Sequence, residues 1–135
     1  MNLTQENDST VVSSGVVLAN DLKADLTTLS GTIALLEVFK GIRHDMPLQH
    51  AHTFMLVACQ EGLSVLDYAE RAGVAQSVMT RNLLDIGERN RRGGPGYGLV
   101  VTRMDPNDRR RHQTFLTHQG RALLHKVLRA ARAIR

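Results

Sequence analysis

Residues 64–88 read SVLDYAERAGVAQSVMTRNLLDIGE, and residues 99–117 read LVVTRMDPNDRRRHQTFLT. The first stretch predicts two short helices. Ser64 with Asp67 three residues on is a capping-box-like start, because a side-chain oxygen can take up an orphan amide of the first turn. Val65, Leu66 and Ala69 then supply a short apolar face. At Ala72-Gly73-Val74 the helix breaks, since Gly73 is free to adopt the left-handed conformation that ends helices. A second helix starts near Ala75, with Met79, Leu83 and Ile86 on one buried stripe. Gln76, Ser77, Thr80 and Arg81 fall off that stripe and face outward. Two helices joined by a short Gly-containing turn form the helix-turn-helix pattern. The outward set is short and polar with one Arg, which suits hydrogen bonding to base edges and phosphates in a major groove.

The second stretch predicts a hairpin. LVVTR (99–103) and QTFL (113–116) are β-prone runs, and Asp105-Pro106-Asn107-Asp108 between them is strong turn chemistry. Arg109, Arg110 and Arg111 then stand at or beside the tip. Holding three guanidinium groups in the open is costly in self-repulsion unless something anionic meets them, and a narrow minor groove is one such partner. The fold class is therefore mainly α with a small β-hairpin wing, a winged helix-turn-helix.

The charge pattern points the same way. The chain of 135 residues carries net +4, but unevenly. Residues 1–70 hold 9 acids against 3 Lys/Arg, which is −6, and residues 71–135 hold 4 acids against 14 Lys/Arg, which is +10. Such segregation costs repulsion unless a polyanion is the working partner. Thirteen of those 14 are Arg, the better fork for phosphate and guanine. The length suits one domain. One Cys, Cys59, excludes an intramolecular disulfide and fits a reducing compartment. The N-terminus MNLTQENDST is polar, unlike a signal peptide, and the longest apolar run is too short to span a bilayer. A cytoplasmic protein is expected.

Asp108-Arg109-Arg110, followed by Leu116-Thr117-His118-Gln119-Gly120, resembles the wing signature of the MarR family of winged-helix transcription regulators. VAQSVMTRNLLDI upstream resembles that family's recognition helix, and the likeness covers roughly residues 48–127. It implies a homodimer on a pseudo-palindromic operator, released by a small-molecule effector or by oxidation. It also implies that Arg110 enters the minor groove with Asp108 orienting it through a charge-assisted hydrogen bond. Arg103, Arg109 and Arg111 would meet phosphates. The chain departs from the family pattern in three places. GERNRRGGPGYG (87–98) replaces a turn of a few residues, Asn82 stands where an apolar residue is common, and the sequence ends at Arg135 before a second C-terminal helix.

Outward from this centre, residues 1–20 read as a flexible tail and residues 21–135 as a single winged-helix domain. Within it, 21–44 is an N-terminal dimerisation or core helix, 48–117 the DNA-binding winged helix, and 118–135 a C-terminal dimerisation or core helix. Leu22, Leu26, Leu29, Ile33 and Leu36 alternate by four and three, a coiled-coil-like seam with Gly31 as a weak point. That seam serves either the chain's own core or a dimer. Met46-Pro47 ends the helix. The next one, over 48–60, presents Leu48, Ala51, Met55, Ala58 and Cys59 inward, which makes Cys59 an inert core residue. His50 and His52 face apart on it, and only His44 and His50 could converge, so no metal and no cofactor are expected. The 87–98 insertion reads as flexible, either a tolerated surface insertion or a basic contact with the DNA backbone that orders on binding. Thr117 caps a last helix over 121–134, with Leu124, Val127 or Leu128, Ala131 and Ile134 on one face. No nucleophile and base arrangement and no paired carboxylates suggest an enzyme. The expected function is a sequence-specific double-stranded DNA-binding regulator, a homodimeric repressor. The alternative is a winged-helix adaptor that binds DNA non-specifically or binds another protein, in replication, packaging or repair.

Overall fold

The computed structural model describes residues 15–90 and 92–134, with side chains from residue 19 onward. Most of the expected tail lies outside the described residues. The order of elements is α1 (Gly15–Lys40), α2 (Leu48–Cys59), α3 (Val65–Ala72), α4 (Gln76–Ile86), β1 (Val100–Asp105), β2 (Asp108–Leu116) and α5 (His118–Arg132). The fold is a winged helix-turn-helix, with five helices and one antiparallel hairpin among the described residues.

Local chemistry explains the centre of the chain. The Asp67 amide donates to Ser64 Oγ at 3.3 Å, and the Ser64 amide donates to Asp67 Oδ2 at 3.2 Å, so α3 opens on a reciprocal capping box. Gly73 closes α3 at φ +70°, where a side chain would strain the backbone. Met79, Leu83 and Ile86 of α4 are all buried. On α3 the inward apolar residue is not Leu66, which is half exposed, but Tyr68, which is wholly buried beside Ala69. The Tyr68 ring fills the core while its hydroxyl donates to the Gln60 carbonyl at 2.7 Å. An aromatic with a polar tip can thus sit where a Leu was expected.

On α2 the inner face is rotated from the expected stripe. His50, Ala51, Thr53, Phe54 and Val57 are buried, while Leu48 and Cys59 are exposed. Cys59 is therefore a surface thiol, not a core residue. The cause lies in Phe54, fully buried and edge-on to Phe39 of α1 at 6.1 Å between centroids. The two largest side chains available set the rotation of the helix, and the smaller residues follow. Burying such side chains contributes about 1.5–3 kcal/mol each.

α1 ends at Lys40, short of residue 44, and packs on α5. Gly31 marks the close approach: a Cβ there would lie 3.2 Å from Ile134 Cγ1. The remaining seam is left open, with Leu22, Leu26, Leu29, Ile33 and Leu36 each about half exposed. α5 buries Gly120, Leu123 and Val127, so Leu123 joins the inward face and Leu128 stays outside it.

The hairpin is longer than its β-prone runs. Val100 to Met104 pair in register with Leu116 to His112, but the next pair is Asp105 with Asp108. Arg109, Arg110 and Arg111 therefore have no cross-strand partner and stand out of the ladder as a bulge within β2. The turn is Pro106-Asn107, closed by the Asn107 amide donating to Asp105 Oδ1 at 2.9 Å. At the base, the Gly62 amide donates to the Thr114 carbonyl and the Thr114 amide to the Leu63 carbonyl. Glu61 binds the Leu116 amide at 2.8 Å and grips Arg121 through both oxygens at 2.9 and 3.1 Å. These bonds fix the wing to the body.

The described residues of the 87–98 insertion form a turn closed by hydrogen bonds. Asn90 accepts the Arg92 and Gly94 amides on Oδ1, and its own amide donates to the Gly94 carbonyl at 2.8 Å. Gly96, Tyr97, Gly98 and Leu99 donate in turn to Glu88, Asp85, Gly87 and Ile86. Gly96 has to be Gly, because a Cβ would collide with the Gly87 carbonyl.

Candidate nucleic-acid interface

Every outward residue of the expected reader lies at the surface of α4: Gln76, Ser77, Thr80 and Arg81 are all exposed. Their positions are held from behind by Met79 and Ile86, neither of which reaches solvent. Arg81 makes one weak intrahelical bond, from Nε to the Ser77 carbonyl at 3.4 Å. α4 begins at Ala75 without a side-chain cap. The Val78 amide already donates to the Ala75 carbonyl at 3.1 Å, which leaves the Gln76 and Ser77 amides at the helix start to meet an anion, a partner the helix dipole also favours.

The wing stands across a cleft from this helix. Gln76 from α4, Ser64 and Asp67 from the start of α3, and Asp108, Arg110 and Arg111 from β2 line that cleft together. The fold thus brings one major-groove candidate beside two wing candidates. Thr80 and Arg81 lie farther along α4, and Arg103 lies on the opposite strand, outside the cleft.

The wing arginines differ in their ties. Arg111 Nη2 lies 3.3 Å from Asp67 Oδ2, a contact between two half-exposed groups, so part of its charge is spent within the chain. Arg103 lies over the Phe115 ring at 5.7 Å, a cation–π arrangement that leaves its edge to solvent. Asp108 does not hold the Arg110 guanidinium as expected; its Oδ1 accepts the Arg110 backbone amide at 3.1 Å. The carboxylate shapes the bulge, and the Arg110 side chain projects from it exposed. Arg109 is exposed as well. Ser64 bonds and, after them, the nearby Arg111 and Arg71 hold the Asp67 carboxyl below its ordinary range.

Three features here escaped the sequence reading. Asp67 serves both the α3 cap and Arg111, a pairing 44 residues apart in the chain. The bulge depends on a register that only the folded hairpin defines. His50 is committed to Tyr97, at 2.8 Å from Nδ1 to the hydroxyl, and lies 3.4 Å from Asp85 through Nε2, away from any meeting with His44. The signal for that last contact was Tyr97 in the unusual loop, a buried-type residue among glycines. Among the described residues, no three His, Cys, Asp or Glu side chains cluster as a metal site would require. Likewise, no described helix is long and apolar enough to cross a membrane.

No protein-family model matches the chain, and no curated protein matches its sequence. Solved structures do match in fold. A MarR-like transcriptional regulator from Thermotoga maritima is 25% identical with a TM-score of 0.56. The match covers 67% of this chain and 59% of that one, so the chain spans less than two thirds of that regulator's length. The PcaV transcriptional regulator from Streptomyces coelicolor, solved with its natural ligand, is 22% identical with a TM-score of 0.53, over 91% of this chain and 77% of that one. FabT from Streptococcus pneumoniae, solved in complex with DNA, is 18% identical with a TM-score of 0.55, over 84% and 78%. The first two are described as transcriptional regulators. Helix order, hairpin and structural neighbours agree: by fold, the chain is a MarR-like winged-helix protein.

Proposed function

We propose that this protein is a sequence-specific double-stranded DNA-binding transcriptional regulator, acting as a homodimeric repressor on a pseudo-palindromic site in the cytoplasm. The observation that carries the reading is the pairing of an uncapped, outward-facing α4 with a wing whose Arg110 lines the same cleft as Gln76. Gln76, Ser77, Thr80 and Arg81 meet base edges and phosphates in the major groove. Arg110 enters the minor groove, Asp108 sets the bulge that presents it, and Arg103, Arg109 and Arg111 meet phosphates. The DNA-bound neighbour supports the partner class, and the ligand-bound one supports a small-molecule effector.

The seam on α1 supports the dimer. Five large apolar side chains on one face stay about half exposed, and a second copy covers such a stripe at low cost. Two C2-related readers would then meet two half-sites.

Selection of binding sites from random duplex DNA tests the reading, with the solution mass measured alone and on the selected duplex. A sharp palindromic consensus bound by two chains is expected. Affinity should fall steeply with salt as several counterions are released. Featureless selection would instead favour an adaptor that binds DNA without preference.

A further inference from the structure

Gln76, Ser77, Thr80 and Arg81 do not exhaust the outward face of α4. Leu84, in its last turn, is 43% exposed. A single exposed leucine carries no meaning by itself, since apolar atoms make up much of any folded surface. The register of this one does. Residues 77, 80, 81 and 84 stand at i, i+3, i+4 and i+7, on one strip of the helix. A helix lying along a major groove reads successive bases with that spacing. The buried residues Met79, Asn82, Leu83 and Ile86 hold the other side. Leu84 therefore belongs to the reading strip, and its chemistry is unlike that of Ser77, Thr80 and Arg81.

The surroundings of Leu84 suit a methyl group better than a phosphate. A helical side chain leans toward the N-terminus of its helix, so Leu84 lies over the turn that carries Thr80 and Arg81. Thr80, four residues back, brings its own methyl beside the isobutyl group. Toward the wing, Leu84 borders an open groove of about 250 Å³, with Leu83, Val101 and Thr102 among the residues lining it. The fold thus leaves the side chain room to meet something from outside. In the major groove the bases present donors and acceptors, and thymine alone adds an apolar group, its C5-methyl. Arg81 is held by a 3.4 Å bond to the Ser77 carbonyl, a tie weak enough to exchange. Its fork matches guanine O6 and N7.

We propose that Leu84 is a specificity-determining residue, packing with the Thr80 methyl on the C5-methyl of a thymine next to the guanine that Arg81 reads. The inference rests on the DNA-binding reading and deepens it, because it names a base pair that each half-site must contain. Ser77, Thr80 and Arg81 can sort bases by their hydrogen-bonding edges. Leu84 adds a contact that responds to one methyl and is blind to the rest of the base edge.

The test uses the full chain and the duplex obtained by site selection. Each thymine is replaced in turn by deoxyuridine, which deletes the methyl and keeps every hydrogen bond. At one position per half-site the exchange should weaken binding about fourfold, the worth of burying one methyl. Leu84→Ala should bind the thymine and uridine duplexes equally, and Leu84→Met should restore the difference. Leu84→Gln, carried through its own selection, should exchange thymine for adenine at that position, since a carboxamide pairs with adenine N6 and N7. Leu84 lies at the surface of the helix, and should one variant fold poorly by circular dichroism the other two carry the test. A sharp consensus in which no uridine weakens binding overturns the inference. So does a Leu84→Ala chain that still loses affinity on the uridine duplex. Featureless selection overturns the DNA-binding reading and this inference with it, so the two failures are told apart.

Discussion

Reader and wing share a cleft but are built by opposite means. The reader α4 is positioned from behind by apolar packing, with Met79 and Ile86 excluded from solvent, and its outward side chains are nearly uncommitted. The base of the wing is buried too, through Val100, Thr114 and Leu116, but its outer arginines are arranged by polar ties: Asp67 to Arg111, Asp108 to the Arg110 amide, Phe115 beneath Arg103. Packing is stiff and all-or-none, whereas exposed polar ties are weak and exchangeable. The reader should therefore fail only when the fold fails. The wing arginines can rearrange with the fold intact, and Arg111 can trade Asp67 for a phosphate.

The contrast can be broken at four points. The largest effect is expected from Met79→Ala, which empties a fully buried site beneath the reader and should cost about 2–5 kcal/mol of stability. Urea unfolding measures it, and a loss well under 1 kcal/mol would mean the reader is not core-supported. Arg110→Ala should leave unfolding unchanged and cost about 1–3 kcal/mol of binding to the selected duplex, read from the ratio of dissociation constants. Asp67→Ala removes the reciprocal half of the α3 capping box and the partner of Arg111 together, while Ser64 Oγ keeps its bond from the backbone amide of residue 67; the lost half is worth about 0.5–1.5 kcal/mol. Thermal unfolding reports the cap, and a shallower salt dependence of binding would show that Arg111 had not been recruited to phosphate. Asn82→Leu should be the mildest, raising stability by about 1 kcal/mol or less because a buried carboxamide gives way to an apolar group.

Acid sharpens the same contrast. Bonds from Ser64 lower the Asp67 carboxyl in the folded chain, so the folded form binds its proton less readily than the unfolded form does. That contribution is fully present above the unfolded value of about 3.9 and fades as pH falls through the lower folded one. Asp67→Asn should flatten this part of the acid unfolding curve, a change that circular dichroism between neutral and low pH would register.

What could be read from residues alone was local. A capping box, a left-handed glycine and a three-residue apolar stripe are each determined within a few positions, and Ser64, Gly73 and Met79 behave accordingly. The rotation of α2 was not local, since it depends on Phe54 finding Phe39 across two helices. Cys59 was misplaced for the same reason. The closed turn in the 87–98 loop was not legible from its glycine content, because it depends on Asn90, whose side chain accepts the Arg92 and Gly94 amides. On the candidate surface, the exposure of Gln76, Ser77, Thr80 and Arg81 followed from helical spacing. The ties that arrange the arginines did not, because Asp67 meets Arg111 only once the chain has folded back on itself.

The odd register of the hairpin has one more consequence. Met104 faces His112 and Asp105 faces Asp108, so the strands would zip without a break if residues 109–111 were excised. The shortened ribbon would close on Pro106 and Asn107 unaided. Nothing in the ladder needs the triplet, which makes it a detachable cassette: evolution, or an experimenter, can change what the arm carries without rebuilding the arm.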